Sequence, residues 1–317
     1  MRIGKAGRRP GRSPSRSAAS PDSGIDVEMT RKDLPDRTID SYAGALIAMG
    51  TMHGKEHQVA PAFATTLRAR VVAPAGIDTD QFGTFAGEVT RAKPPLAAAT
   101  AKARIAMGSA DVPYGLASEA SYHTWCGLAA MHEEILVFVD DTRDIRVVEG
   151  VNVPGAPGPP TAVDTADDAV RAAHRFGFPQ QGAIVKTRVG DQVQVFGKGI
   201  TDADTLIQVV GAAIAAGDHH SVWVEPDLRA HHNPSRRDVL SVLAARLANR
   251  LATYCPHCSC PGYGKVAVRE GLACRACGWP TRVVSADILA CPACEHYARV
   301  ERNQALADPR HCPQCNP

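Results

Sequence analysis

ALIAMGTMHGKE, residues 45–56, is the stretch from which the fold class is read. Ala45–Gly50 is a short apolar run, too short for a helix and suited to a buried strand. Thr51–Glu56 is a polar loop. A helix is predicted after it, because Val59, Phe63 and Leu67 recur on one helical face, with Pro61 expected in its first turn, where a missing N–H is tolerated. A strand that passes through such a loop into a helix aims backbone amides and the helix dipole at any anion bound there. Thr51 and His53 supply polar side chains, Gly54 permits close approach and Lys55 adds charge. The spacing is not that of a Walker loop, and an ordinary strand-to-helix connection fits the same residues.

Downstream the alternation continues. Leu96, Thr100, Ala103 and Met107 share one face of a predicted helix, with Lys102 beside that face. Strands are predicted at Tyr114–Ser118 and Ile135–Val139, the second ending in Asp140 and Asp141. Asn152–Pro160 is a loop or linker. Ala183–Val189 and Gln192–Phe196 flank Gly190-Asp191, a two-residue hairpin turn. A helix at Ala203–Ala216, a strand at Ser221–Glu225 and an amphipathic helix at Ser235–Leu251 follow. Alternating strands and helices predict an α/β domain over residues 41–252, with a mixed or largely parallel sheet and flanking helices.

Residues 1–40 are rich in Arg, Ser, Pro and Gly, with no acid before Asp22, and are expected to be a disordered basic tail. Met29 is a plausible alternative start. The chain of 317 residues has 44% hydrophobic and 21% charged residues and a net charge of +2, so it carries no general polyanion-binding signal. No apolar run approaches the roughly 18 residues of a membrane span, and a cytoplasmic protein is the expectation.

Nine of the ten cysteines lie after residue 254, and eight of them form CxxC pairs. Without an export signal this pattern points to metal rather than disulfides. Cys255, Cys258, Cys274 and Cys277 have the spacing C-x2-C-x15-C-x2-C; Cys291, Cys294, Cys312 and Cys315 have C-x2-C-x17-C-x2-C. Two such knuckles complete a tetrahedral thiolate shell, so residues 253–317 are read as a zinc-ribbon module with two structural zinc ions. Sequential pairing is favoured; a cross-braced order has compatible spacing. Lys265–Arg269 with Glu270-Gly271 reads as strand and turn. Cys260 is a spare thiol that could replace a neighbour, and Cys126 is an ordinary half-buried cysteine. The module has seven Lys or Arg against five Asp or Glu, too balanced for a nucleic-acid footprint.

Three further polar clusters lie near element ends. Asp78-Thr79-Asp80 with Gly83–Glu88 and Arg91 suits a hard cation such as magnesium, or simply a capped turn. Ser118-Glu119-Ala120-Ser121 is expected at a strand end, facing the crevice where α/β folds bind ligands. In Glu225–Arg236, Asn233 and Pro234 are a helix cap and first helical residue. Asp227, Arg229, His231 and Arg236 exceed that need, and fit either phosphate or carboxylate binding or a buried ion-pair network.

Taken in order, the clusters resemble an uncharacterised bacterial family, a domain of unknown function with the pattern TxHGKE, DTDxxGTFxGExxR, KAR, LASExS, ExDxRxHxNPxR and terminal CxxC pairs. They stand here at Thr51–Glu56, Asp78–Arg91, Lys102–Arg104, Leu116–Ser121, Glu225–Arg236 and Cys312–Pro317. That family's SEGSFGPH stretch is replaced by Ser118–His123, without the glycine. The order of TxxGK loop, acidic residue, KAR helix and strand-borne acid is also similar to the inosine triphosphate pyrophosphatase and Maf-like superfamily, although the DDSGL-type acidic pair is missing. This similarity implies a magnesium-dependent hydrolase of nucleotides or other phosphorylated metabolites. Thr51, His53, Gly54 and Lys55 would then cradle phosphates, Glu88 and Glu119 would hold the metal, and Lys102 would neutralise charge. A non-enzymatic phosphate-binding protein is the alternative.

Overall fold

The computed structural model describes residues 41–83, 92–125, 129–155, 158–216 and 222–317. The basic tail, Glu88, Arg91 and Cys126 therefore lie outside the described residues.

The fold opens with β1 (Leu46–Met49), α1 (Glu56–Leu67), β2 (Arg70–Val72), α2 (Pro95–Ala110), β3 (Tyr114–Trp125), β4 (Ala129–Asp140) and β5 (Ile145–Pro154). The strands form a mixed sheet in the order β2-β1-β3-β4-β5, with β1 parallel to β2 and β3, and β3, β4 and β5 antiparallel. Period-two alternation sends Leu116, Leu136 and Phe138 to one face and Ala117, Val137 and Val139 to the other. The first face is covered by α1, through Val59, Phe63 and Leu67, and by α5 (Pro234–Leu251), through Leu243, Leu247 and Leu251. Each such fully buried side chain stabilises the fold by about 1.5–3 kcal/mol.

Three expectations require correction. Pro61 lies in the second turn of α1, where its ring points outward among exposed residues. The buried stripe of α2 is Ala99, Lys102, Ala103, Ala106 and Met107, so Leu96 faces solvent and Lys102 faces the core. Strands β3 and β4 extend well beyond the predicted segments, so Glu119 stands in mid-strand, paired with Ile135. Asp140 is consumed by structure: it accepts hydrogen bonds from Thr142, Arg143 and the Tyr42 hydroxyl.

A second sheet follows, ordered β6-β9-β7-β8 and antiparallel throughout. Its elements are β6 (Thr161–Ala162), α3 (Ala166–Arg175), β7 (Ala183–Val189), β8 (Gln192–Ile200), α4 (Ala203–Ala216) and β9 (Val222–Pro226). The β7–β8 hairpin turns at Gly190, whose φ of 59° suits glycine. Its core joins Ala169, Ala172 and Ala173 of α3 and Leu206 and Val210 of α4 to Val185 and Val224. The loop after β9 carries the chain back into α5 and the first sheet.

The cysteine module is a three-stranded antiparallel sheet of β10 (Gly264–Glu270), β11 (Val284–Ala290) and β12 (Tyr297–Glu301). Arg250 ties it down, donating to the Gly262 carbonyl at 3.0 Å and to the Val148 carbonyl of β5 at 3.1 Å. Its sulfurs gather as two groups, Cys255, Cys258, Cys291 and Cys294, and Cys274, Cys277, Cys312 and Cys315. Within each group the ligand atoms lie within 4.8 Å of one another, close enough to share one metal ion. The favoured sequential pairing is thus replaced by the cross-braced order. The cause is strand length: the seven residues of β10 span roughly 20 Å and carry the second knuckle away from the first. Antiparallel β11 then returns the third knuckle to the first. Cys260 belongs to neither group and packs against the main core. Because Cys258 and Cys291 serve one group, the double variant Cys258→Ser/Cys291→Ser should lose one of two bound ions per chain in elemental analysis. Loss of both would favour sequential pairing.

Candidate functional site

The loop leaving β1 begins at Gly50, where a Cβ would lie 2.3 Å from the Lys102 carbonyl oxygen; glycine is what allows α2 to approach. Met49 pairs with Leu116, and β3 continues past this point, so Ser118 and Glu119 stand directly beside the loop. Lys55, at the start of α1, donates from Nζ to the Ser118 hydroxyl at 3.0 Å and to its carbonyl at 3.4 Å. Glu119 projects to the opposite face of β3 and forms a buried ion pair with Lys102 of α2.

The second sheet delivers its share through the loop after β9. Asp227 donates its N–H to the Gly182 carbonyl at 2.7 Å, and the Gly182 N–H is received by the His232 carbonyl at 2.8 Å. Asp227 in turn grips Arg229 through Oδ1 at 3.0 Å and Oδ2 at 2.5 Å. Asn233 caps α5, accepting from the Arg236 N–H, as its sequence position implies. Arg236 then reaches β4, where its guanidinium binds Glu134 in a fork at 2.7 and 3.1 Å.

These segments close on a cavity of about 40 Å³, room for a few water-sized groups. Thr51, His53, Lys55, Lys102, Glu119, Arg229 and Arg236 all line it, with Asp80 at one side. Of the remaining expected residues, Gly54 borders the adjoining cavity, Asp227 stands behind Arg229, and His231 stacks on His53 at 4.5 Å. One contributor escaped the sequence reading, and another was read there only as a cation-binding or turn residue. Asp80, read as part of a cation-binding or capped turn, lies 3.4 Å from His53 Nε2. Glu134 occupies the apolar face of β4, in phase with Leu136 and Phe138, and a charge at such a position was the available signal.

The electrostatics are unequal. Lys102, Arg229 and Arg236 each face a carboxylate, whereas the hydrogen bonds of Lys55 go to neutral Ser118. Burial, reinforced by the Arg236 charge, lowers the Lys55 pKa to about 7. Burial alone would raise Glu134, but Arg236 and the hydrogen bond from His132 hold it at about 2. Burial also lowers His53, against the pull of Asp80, and takes His231 down to about 3 with help from the neighbouring His232. Both rings are thus kept neutral near pH 7.

Among the described residues, only the two cysteine groups bring three or more metal-ligating side chains together. The larger cavity between β5, α5 and β10, about 910 Å³, has its Arg250 and Lys265 already paired with Glu149 and Asp287. No described helix is long and apolar enough to cross a membrane. Removing Glu134 would strand a buried guanidinium, so Glu134→Ala should lower unfolding free energy by about 3–5 kcal/mol in denaturant titration. Adding Arg236→Met should recover most of that loss; no recovery would show that the pair does not carry the effect.

No curated protein and no solved structure matches the chain. A family model described as a domain of unknown function, DUF6671, matches residues 102–317. The match takes in Lys102, Glu119, the Asp227–Arg236 loop and both cysteine groups, while the Thr51–Lys55 loop precedes it. With well over half of its 317 residues so matched, the chain belongs to the DUF6671 family.

Proposed function

We propose that the cleft at the end of β1 seats a phosphate group of a nucleotide or other phosphorylated metabolite, and that the protein hydrolyses that ester or anhydride in a magnesium-dependent, pyrophosphatase-like manner. The observation that carries the reading is the meeting of Lys55, Lys102, Arg229 and Arg236, from both sheets, around one small cavity in which Lys55 has no ion-pair partner among the described residues. An anion there would restore the proton to Lys55 and complete the charge balance. Thr51 can donate its hydroxyl, and Arg229 can stabilise charge that develops on a transferring phosphoryl group. Neutral His53 can accept a proton from water. Asp80 and Glu119 supply the one or two carboxylates that magnesium uses beside substrate phosphates. The ion, when bound, would polarise the phosphoryl oxygen.

A second reading, phosphate binding without turnover, is favoured by one fact: Glu119 is held by Lys102 and Asp80 by His53. The two readings part on one measurement. With magnesium and a panel of nucleoside triphosphates, hydrolysis predicts pyrophosphate release, reduced at least a hundredfold by Lys55→Ala or Glu119→Gln. Stabilisation of the fold by phosphates without release would select the binding reading. For the cysteine groups we propose zinc as the ion, in closed four-thiolate shells that serve structure rather than catalysis. Thiols left unpaired suit a reducing, cytoplasmic setting.

Lys55 sets the pH dependence. Sulfate remains a dianion across neutral pH, so only the protein titrates. Its affinity should be constant below pH 6 to 7 and fall by up to about tenfold per pH unit above the Lys55 pKa of about 7. Isothermal titration with Lys55→Met should give a flat, weaker profile; a wild-type profile flat to pH 9 would remove Lys55 from the anion site.

A further inference from the structure

Beside the phosphate cleft lies a second cavity, about 500 Å³, within the range of small-molecule sites. The two share Thr51 as a common wall. Along the loop from β1 the side chains divide between them: His53 and Lys55 line the small cationic cleft, while Met52 and Glu56 line the larger cavity. The segment from Ala73 to Asp78 supplies the opposite wall. It is tied to the loop by the Thr79 N–H, which donates to Met52 Sδ at 3.2 Å.

The linings have opposite polarity. Among the described residues that line the larger cavity there is no cation; the charged groups there are the carboxylates of Glu56 and Asp78, set among Met52, Pro74 and Ile77. Glu56 Oε2 is buried and has no hydrogen-bond partner among the described residues, and Oε1 lies 3.5 Å from His57 Nε2. A carboxylate in the first turn of α1 suits the helix dipole, but the dipole does not satisfy an orphaned oxygen. A buried acceptor without a donor costs about 1–3 kcal/mol, more when charged, so the carboxylate gains by turning toward a ligand donor in the cavity.

We infer that this cavity receives the base of a nucleotide whose phosphates occupy the neighbouring cleft, and that Glu56 selects bases presenting adjacent N–H donors. This rests on the phosphate reading given above. An ionised carboxylate only accepts hydrogen bonds, so it pairs with the N1–H and N2–H of guanine and repels the N1 acceptor of adenine. Met52, Pro74 and Ile77 place apolar side chains beside the carboxylates, so a heterocycle can pack its face on them while its N–H edge meets Glu56. A site built around hydrogen bonds of this kind discriminates strongly against analogues that leave its polar groups unpaired.

The test is calorimetric, on the full chain without magnesium so that turnover does not intervene. The probes are pyrophosphate, ADP and GDP. The inference expects GDP to bind at least tenfold tighter than ADP or pyrophosphate. Glu56→Gln should bring GDP to within about twofold of pyrophosphate while leaving pyrophosphate affinity unchanged. Ala75→Trp, which narrows the mouth of the cavity, should weaken GDP and spare pyrophosphate. Equal affinity for the three probes, or tight GDP binding kept in both variants, overturns the base site and leaves the phosphate reading standing. Failure of wild-type protein to bind any probe overturns both.

Discussion

The buried pair between Arg236 and Glu134 is the contact on which the rest of the molecule depends. Removing two charges from water costs several kcal/mol for each, and only a forked geometry with the remaining atoms satisfied offsets it. Those conditions are met: both carboxylate oxygens take the guanidinium, His132 lies 3.0 Å from Glu134 Oε2, and the third guanidinium nitrogen donates to the Leu228 carbonyl. An apolar pair could hold α5 against β4 equally well. It could not fix the angle at which the preceding loop arrives. That loop is clamped at its other side to Gly182 of the second sheet, so the ion pair sets how the two sheets meet and places Arg229 across from Lys55.

The same pair conditions the cleft electrically. Its guanidinium adds to the burial of Lys55 and brings that amine close to neutrality at physiological pH. A buried lysine that, among the described residues, hydrogen-bonds only to a neutral serine works against stability, and such arrangements concentrate at functional sites. Among the described residues the neighbouring cations, Lys102, Arg229 and Arg236, each have a carboxylate partner.

Much of this was legible in local pattern. The apolar face of α1, the bounds of α4, the Gly190 hairpin and the Asn233-Pro234 start of α5 all rest on neighbours within a few positions, and short-range rules suffice for them. The reach of β3 was hidden because the residues just after Ser118 form no apolar run: Glu119 lines the cleft, Ala120 is small and buried, and Ser121 is polar. The register of α2 was misread because Leu96 outranked small alanines in apolarity, whereas close approach to the sheet selects the alanines. Alternation of strands and helices also says nothing about how many sheets they build, and here they build two. Thr51, His53, Lys55, Arg229 and Arg236 were legible by type and place, Lys102 and Glu119 by type alone, while their meeting in one cavity required the second sheet's return loop. Glu134 was missed because the predicted strand began at Ile135, one residue too late to include it.

The interleaved cysteines impose an order on biosynthesis. Had neighbouring knuckles been partners, a ribosome that had reached Cys277 would have released a complete ligand set. In the observed arrangement Cys255 must wait 39 residues for Cys294, and Cys274 waits 41 for Cys315. Four thiolates from the first two knuckles are thus exposed to adventitious ions before either proper set exists, and the nascent module is most open to mis-metallation during that interval.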